Sequence, residues 1–223
     1  LTVHLEVVKN LSKERVVNEI MNTYLNGASE PKGISYGELP EELGKIPCYR
    51  PNKPRLDFIT KHLKQPNWIT DLGCNAGHLC FALQKLGHRV NGVDNDWEAI
   101  KTAKLINDFL KVKNFFYNQD ITMYENKSPI VLYLSSFQWI VQQQGLPHAI
   151  KHLKKLREGK CELLFFETSG SDSKAPLRQA DSKEWIDSLL KECGWQIIDC
   201  EQLKAETGGN RYIYALDKKN NRL

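Results

Sequence analysis

The sequence predicts an α/β fold: a Rossmann-like parallel sheet that ends in an antiparallel hairpin and is preceded by a helical and loop-rich cap. Three observations carry this expectation. Trp68-Ile-Thr-Asp71 is a short apolar run that breaks at Leu72-Gly73, and Gly77 opens a helix pattern over Ala76 to Leu86 that Gly87 stops. Further strand-like runs at 89–93, 115–119, 130–134 and 162–166 are separated by helix-compatible segments, the signature of βαβ units. After a helix pattern over Ser182 to Cys193, the runs 196–200 and 211–216 are joined by a linker ending Thr207-Gly-Gly-Asn210, which suits a hairpin.

Taken in order, residues 12–26 start at a capping Ser12 and place Val16, Val17, Ile20, Met21, Tyr24 and Leu25 at helical spacing. The stretch Gly27 to Pro54 contains five prolines and four glycines, so neither regular helix nor strand is expected there. Residues 1–54 therefore read as an N-terminal cap or substrate lid, and 55–223 as the main domain. Within and beside the cap, Tyr49, Arg50 and Arg55 are candidate substrate contacts, since a guanidinium matches a carboxylate or phosphate in bidentate fashion. Ordinary loop charges are the alternative. Arg55 to Lys64 reads as a helix leading into the first strand, and Asn95-Asp-Trp-Glu98 as a capping box opening the helix after Asp94.

Composition narrows the function classes. With 41% apolar and 26% charged residues the chain can bury a core, and its net charge of +4 comes from scattered lysines that look like solvated helix faces. No basic stripe or aromatic ladder marks a nucleic-acid surface. The six cysteines show no Cys-x-x-Cys spacing, which points to reduced thiols and a cytoplasmic protein. The longest apolar stretch, 130–141, is broken by Ser135, Ser136 and Gln138, so no membrane segment is expected. The chain begins at Leu1, and an upstream region is an open question.

The glycine turn has the spacing Asp71-x-Gly73-x-x-x-Gly77, which is neither the dinucleotide pattern nor the phosphate loop. Its ligand is expected to lack a pyrophosphate. Asp94 lies 21 residues beyond Gly73 at the tip of the next strand, where a carboxylate accepts both hydroxyls of a ribose. Turn and acid together describe a nucleoside site.

Asp71-Leu-Gly-Cys-Asn-Ala-Gly77, Val-Asn-Gly-Val-Asp94 and Asn118-Gln-Asp120-Ile121, in that order, resemble the three cofactor motifs of the class I S-adenosylmethionine-dependent methyltransferases. The likeness runs over roughly residues 55 to 216. It implies the seven-stranded sheet of that family and S-adenosylmethionine as cofactor. It also implies that Asp71, Gly73, Asn75 and Gly77 lie under the methionine end, that Asp94 and Asn95 hold the ribose, and that Asp120 and Ile121 meet the adenine. Ser135, just past the fourth strand, completes the cofactor set.

Methyl transfer from a sulfonium needs chiefly alignment of the acceptor and, where required, removal of its proton. The acceptor is expected beyond the fourth strand, at Ser135-Ser-Phe-Gln-Trp-Ile140. Relatives often carry a histidine pair before Trp-Ile; Gln138 here can orient an acceptor but cannot act as a base. Trp139 is a candidate substrate contact. Glu167, ending the fifth strand, is the best carboxylate for a base or a hydroxyl ligand, or else a cap for local amides. His78 reads as a packing histidine, and the pair His148 and His152 as part of a solvated helix face, so no metal is expected. The resulting reading is an O-methyltransferase acting on a small molecule or glycan. An RNA methyltransferase and a non-catalytic cofactor-binding module are the alternatives.

Overall fold

The computed structural model describes residues 12–26, 35–46, 48–168, 182–204 and 210–218. Its frame is a seven-stranded sheet in the order β5-β4-β3-β6-β7-β9-β8. β3 (Trp68–Leu72), β4 (Arg89–Asp94), β5 (Phe115–Asn118), β6 (Ile130–Leu134) and β7 (Leu163–Glu167) run parallel. β9 (Asn210–Asp217) is antiparallel to both β7 and β8 (Gln196–Lys204), which gives the expected terminal hairpin. Its linker, 205–209, lies outside the described residues.

β6 shows why the run 130–134 is apolar throughout. Ile130, Leu132 and Leu134 enter the core on one face, with α2 (Lys53–Lys61), α3 (His78–Lys85) and α4 (Trp97–Leu110). Val131 and Tyr133 enter the core on the other, with α5 (Phe137–Gln144), α6 (Leu146–Glu158) and α7 (Lys183–Glu192). Strand side chains alternate, so burial on both faces demands a continuous apolar run.

Four expectations are corrected. Within Gly27 to Pro54, β1 (Ser35–Gly37) pairs in parallel with β2 (Cys48–Arg50) around a 3-10 turn at Glu41–Leu43. Two extended triplets satisfy each other's backbone groups there, and α2 starts at Lys53 with Pro54 in its first turn, where a missing N–H costs nothing. Residues 27–34 of that stretch lie outside the described residues. Second, α1 (Lys13–Asn26) does not cover the crevice: Val16 and Ile20 are fully buried in the core beside α4. Third, α4 is capped by Asp96 rather than Asn95, its Oδ1 accepting from the amides of Glu98 and Ala99 at 2.9 and 3.2 Å. Fourth, no helix separates β5 from β6. Asp120 accepts from the amide and hydroxyl of Thr122, both at 2.8 Å, and Asn126 and Ser128 bond each other locally. Such side-chain to backbone bonds compete with helix formation.

Candidate functional site

The strands deliver their carboxyl ends to one crevice, counting about 450 Å³ with its open mouth, lined by residues that include Arg55, Asp71, Gly73, Asn75, His78 and Ser135. Gly73 sits at φ +85°, and a Cβ there would overlap the Ser136 hydroxyl. Only glycine fits, because Ser136 fills the space of its Cβ, and Gly73 lines the crevice. Gly77 at φ +81° starts α3, and a Cβ would press within 2.9 Å of the Phe116 ring. Asn75 adopts φ +50°, a conformation asparagine tolerates, with its Oδ1 accepting from the amide of Ala76 at 2.7 Å.

Asn75 and Asp94 are joined directly: the Asn75 amide donates to Asp94 Oδ2 at 2.8 Å, and the Asp96 amide to Oδ1 at 2.9 Å. A carboxylate has about four acceptor positions, so these backbone amides leave room on it for a ligand hydroxyl. Burial raises the Asp94 pKa, while the amides of Asp96 and Asn75 oppose the rise. Asn95 is exposed. Asp120 lies on the loop after β5; burial pushes its pKa up, but the Thr122 and Gln144 bonds outweigh that and leave it lowered. Ile121 beside it packs on the second core.

At the deep end, Asp71 is buried, with Cys80 Sγ donating weakly to its Oδ2 at 3.5 Å. Burial raises its pKa to about 7. His78 is buried behind Asn75, its Nε2 3.3 Å from Asn75 Oδ1, and burial lowers its pKa to about 4, in keeping with a packing role. Gly37 of β1 closes the wall, since a Cβ there would strike His78 and Asn52. Asn52 in turn is held by Glu38, donating from its own amide to Oε2 and from Nδ2 to the carbonyl, each at 2.9 Å.

The carboxyl ends of β6 and β7 hold the largest departure from expectation. Glu167 is wholly buried, and Arg55 grips it with Nε on Oε2 and Nη2 on Oε1, both at 2.7 Å. Oε1 also accepts from Ser135 Oγ at 2.8 Å and Arg211 Nη1 at 3.0 Å. Burial alone would raise its pKa, but Arg55, Arg211 and Ser135 drive it down to about 2. A carboxylate so weakly basic and so fully bonded is not a general base, nor does it cap local amides. Its role is to fix Ser135, held at φ +57°, whose carbonyl accepts from Gln138 Nε2 at 2.6 Å.

Arg55 thus joins the site as a partner of Glu167. Gln138 is buried at the start of α5, whereas Trp139 next to it is 57% exposed. Tyr49 and Arg50 belong to β2, and their side chains lie outside the described residues. Arg211, the second residue of β9, is a site residue that the sequence patterns do not single out, since nothing local distinguishes it from a surface arginine. His152 is a correction too, since it is buried against Tyr133 OH at 3.2 Å rather than solvated. Among the described residues no three metal-ligating side chains converge, and no helix is long and apolar enough to cross a membrane.

No family model matches the chain. A stretch of 48 residues, 21% of the chain, is 44% identical to the ribosomal protein L11 methyltransferase of Thermotoga maritima and covers 18% of that protein. Among solved structures, the bifunctional kinase-methyltransferase WbdD aligns over 89% of this chain and 46% of its own, with 20% identity and a TM-score of 0.69. The magnesium protoporphyrin IX methyltransferase of Synechocystis PCC 6803, with bound S-adenosylmethionine, aligns over 74% of this chain and 77% of its own, at 15% identity and a TM-score of 0.60. The chain spans about half the length of the WbdD chains it matches. At these identities the likeness establishes the fold, and the fold has the expected seven-stranded sheet and terminal antiparallel hairpin.

Proposed function

We propose that this chain, which has the class I methyltransferase fold, is an S-adenosylmethionine-dependent methyltransferase that methylates an oxygen of a small molecule or glycan. The observation that carries the reading is the Gly73 turn lining the crevice, next to the Asp94 carboxylate held by backbone amides at the tip of the adjacent strand. Those residues fit a nucleoside with a flexible tail: Asp94 for the ribose, Asp120 and Ile121 for the base, Gly73 and Asp71 for the amino-acid end. The cofactor, when bound, supplies a methyl group on a sulfonium leaving group.

What the chain itself contributes is placement. Glu167 holds Ser135 and Arg55, and Ser135 holds Gln138, so one buried carboxylate sets the floor on which an acceptor rests. With Glu167 ionised and bonded, this floor offers orientation rather than proton removal. It suits an acceptor oxygen that is ionised at working pH or gives its proton to water. Within residues 1–54, the part after α1 acts as the cap, supported by Gly37 and Asn52 on the crevice wall, and Tyr49, Arg50 and Trp139 are the substrate contacts. A cytoplasmic location goes with this reading, supported by six free cysteines.

A polynucleotide acceptor is the second reading, favoured by the aromatic sheet face described below. Titration calorimetry with S-adenosylmethionine and its demethylated product tests the proposal. Both should bind the folded protein with sub-millimolar affinity, and absence of binding by either overturns it.

A further inference from the structure

We infer that the outer face of the β4–β5 edge is a binding surface for a single-stranded polynucleotide. β5 is the outermost strand of the sheet, and Phe116 turns inward while Phe115 and Tyr117 remain 46% and 40% exposed. The missing helix between β5 and β6 is what uncovers them. Tyr124, on the loop that takes its place, lies against Tyr117 with ring centroids 5.6 Å apart, and Met123 beside it is 71% exposed. The exposed Arg89 guanidinium lies 5.1 Å from the Trp68 ring and 5.7 Å from that of Phe115. A planar cation and half-open rings on one face form a stacking platform, the means by which single strands are held without sequence preference.

Charge selects the occupant. Lys111 and Lys113 flank the start of β5 and Lys127 lies on the covering loop, all exposed, against one exposed acid on that loop, Glu125. Two copies meeting here would bring like charges together. A four-residue edge, about 13 Å long, is also too short for the roughly 800 Å² per partner of a stable dimer. A polyanion with exposed bases meets both the rings and the lysines, with room for about two or three bases, the number that comparable aromatic sheets stack. The platform requires neither the cofactor nor the acceptor floor, so it stands independently of the methyl-transfer reading.

Fluorescence anisotropy with a labelled oligouridylate of about ten nucleotides, and with a duplex of equal length, tests the inference. The single strand should bind about tenfold or more tighter than the duplex. Phe115→Leu and Tyr117→Leu, which keep an apolar side chain, should each weaken it about fivefold or more without altering the salt dependence. Lys113→Gln with Lys127→Gln, both exposed and safe for folding, should reduce the slope of log affinity against log salt by about 1.4. Equal binding by wild type and both leucine variants overturns the inference, as does sedimentation as a dimer that the leucine variants dissociate. An uncharged oligosaccharide that displaces the strand from the same residues also overturns it. Cofactor calorimetry on the same preparations separates these outcomes from failure of the methyltransferase reading.

Discussion

Asp71 gives the proposed cofactor site a measurable proton. Its carboxyl is buried at the deep end of the crevice with a pKa of about 7, set first by burial, eased by Cys80 and Arg55 and raised by Asp94. At pH 6 the group is about nine-tenths protonated, and at pH 8 about one-tenth. The amino-acid end of the proposed cofactor brings an ammonium group to this carboxyl, and pairing expels the proton. Binding should then release about 0.9 proton at pH 6 and about 0.1 at pH 8, and be about tenfold weaker at pH 6, or about 1.4 kcal/mol. Calorimetry in two buffers of different ionisation enthalpy counts the protons at each pH. Asp71→Asn removes the residue's share while leaving any titration of the ligand's amino group, so the difference between the two proteins isolates Asp71. Identical proton counts in both proteins at pH 6 would refute the reasoning. The same shift has a sign for the free protein. A raised acid pKa contributes stability in full below the ordinary value of 3.8, and this is lost as pH rises through about 7. The variant's stability should lack that decline.

Asp94→Ala should weaken cofactor binding by roughly 1.5–3 kcal/mol, measured by calorimetry, and also lower apo stability by about 1–2 kcal/mol because the amides of Asn75 and Asp96 lose their acceptor. Unchanged affinity would remove Asp94 from the ribose site. Glu167→Gln should cost about 3–5 kcal/mol in urea unfolding, the scale of breaking a buried ion pair. In the wild type this carboxylate's contribution is present above its ordinary pKa of 4.5 and is lost as pH falls toward about 2, so the acid limb of the stability profile should be shallower in the variant. Gly73→Ala should destabilise through both its positive φ and overlap with Ser136, and adding Ser136→Ala should recover the overlap part alone. Full recovery in the double variant would show that backbone strain is not the issue.

The sheet was legible because its signals are local and strong. β6 matches the run 130–134 residue for residue, since a strand buried on both faces must be apolar at every position. The turn at Gly73 and the acid at Asp94 were legible because spacing along the chain determines their meeting at adjacent strand ends. The loop after β5 was not, because helix-compatible residues there are diverted by side chains such as Asp120 and Asn126 that bond their own backbone. The aromatic face was hidden for the same reason, its rings coming from strand and loop and meeting only when no helix intervenes. Glu167 looked like a base because a carboxylate at a strand end says nothing about its partners. Arg55 lies 112 residues before it and Arg211 44 residues after it.

Those separations give the Glu167 cluster a meaning for the chain's synthesis. A fully buried carboxylate needs its cations, and Arg211 follows Glu167 by 44 residues. At ordinary elongation rates that interval is about two to nine seconds, during which the half-built sheet holds one arginine of the pair. The cluster around Glu167 therefore cannot be finished before β9 docks. A chain cut short before β9 would carry Gly73, Asp94 and Asp120 and still leave Glu167 with one of its two guanidiniums.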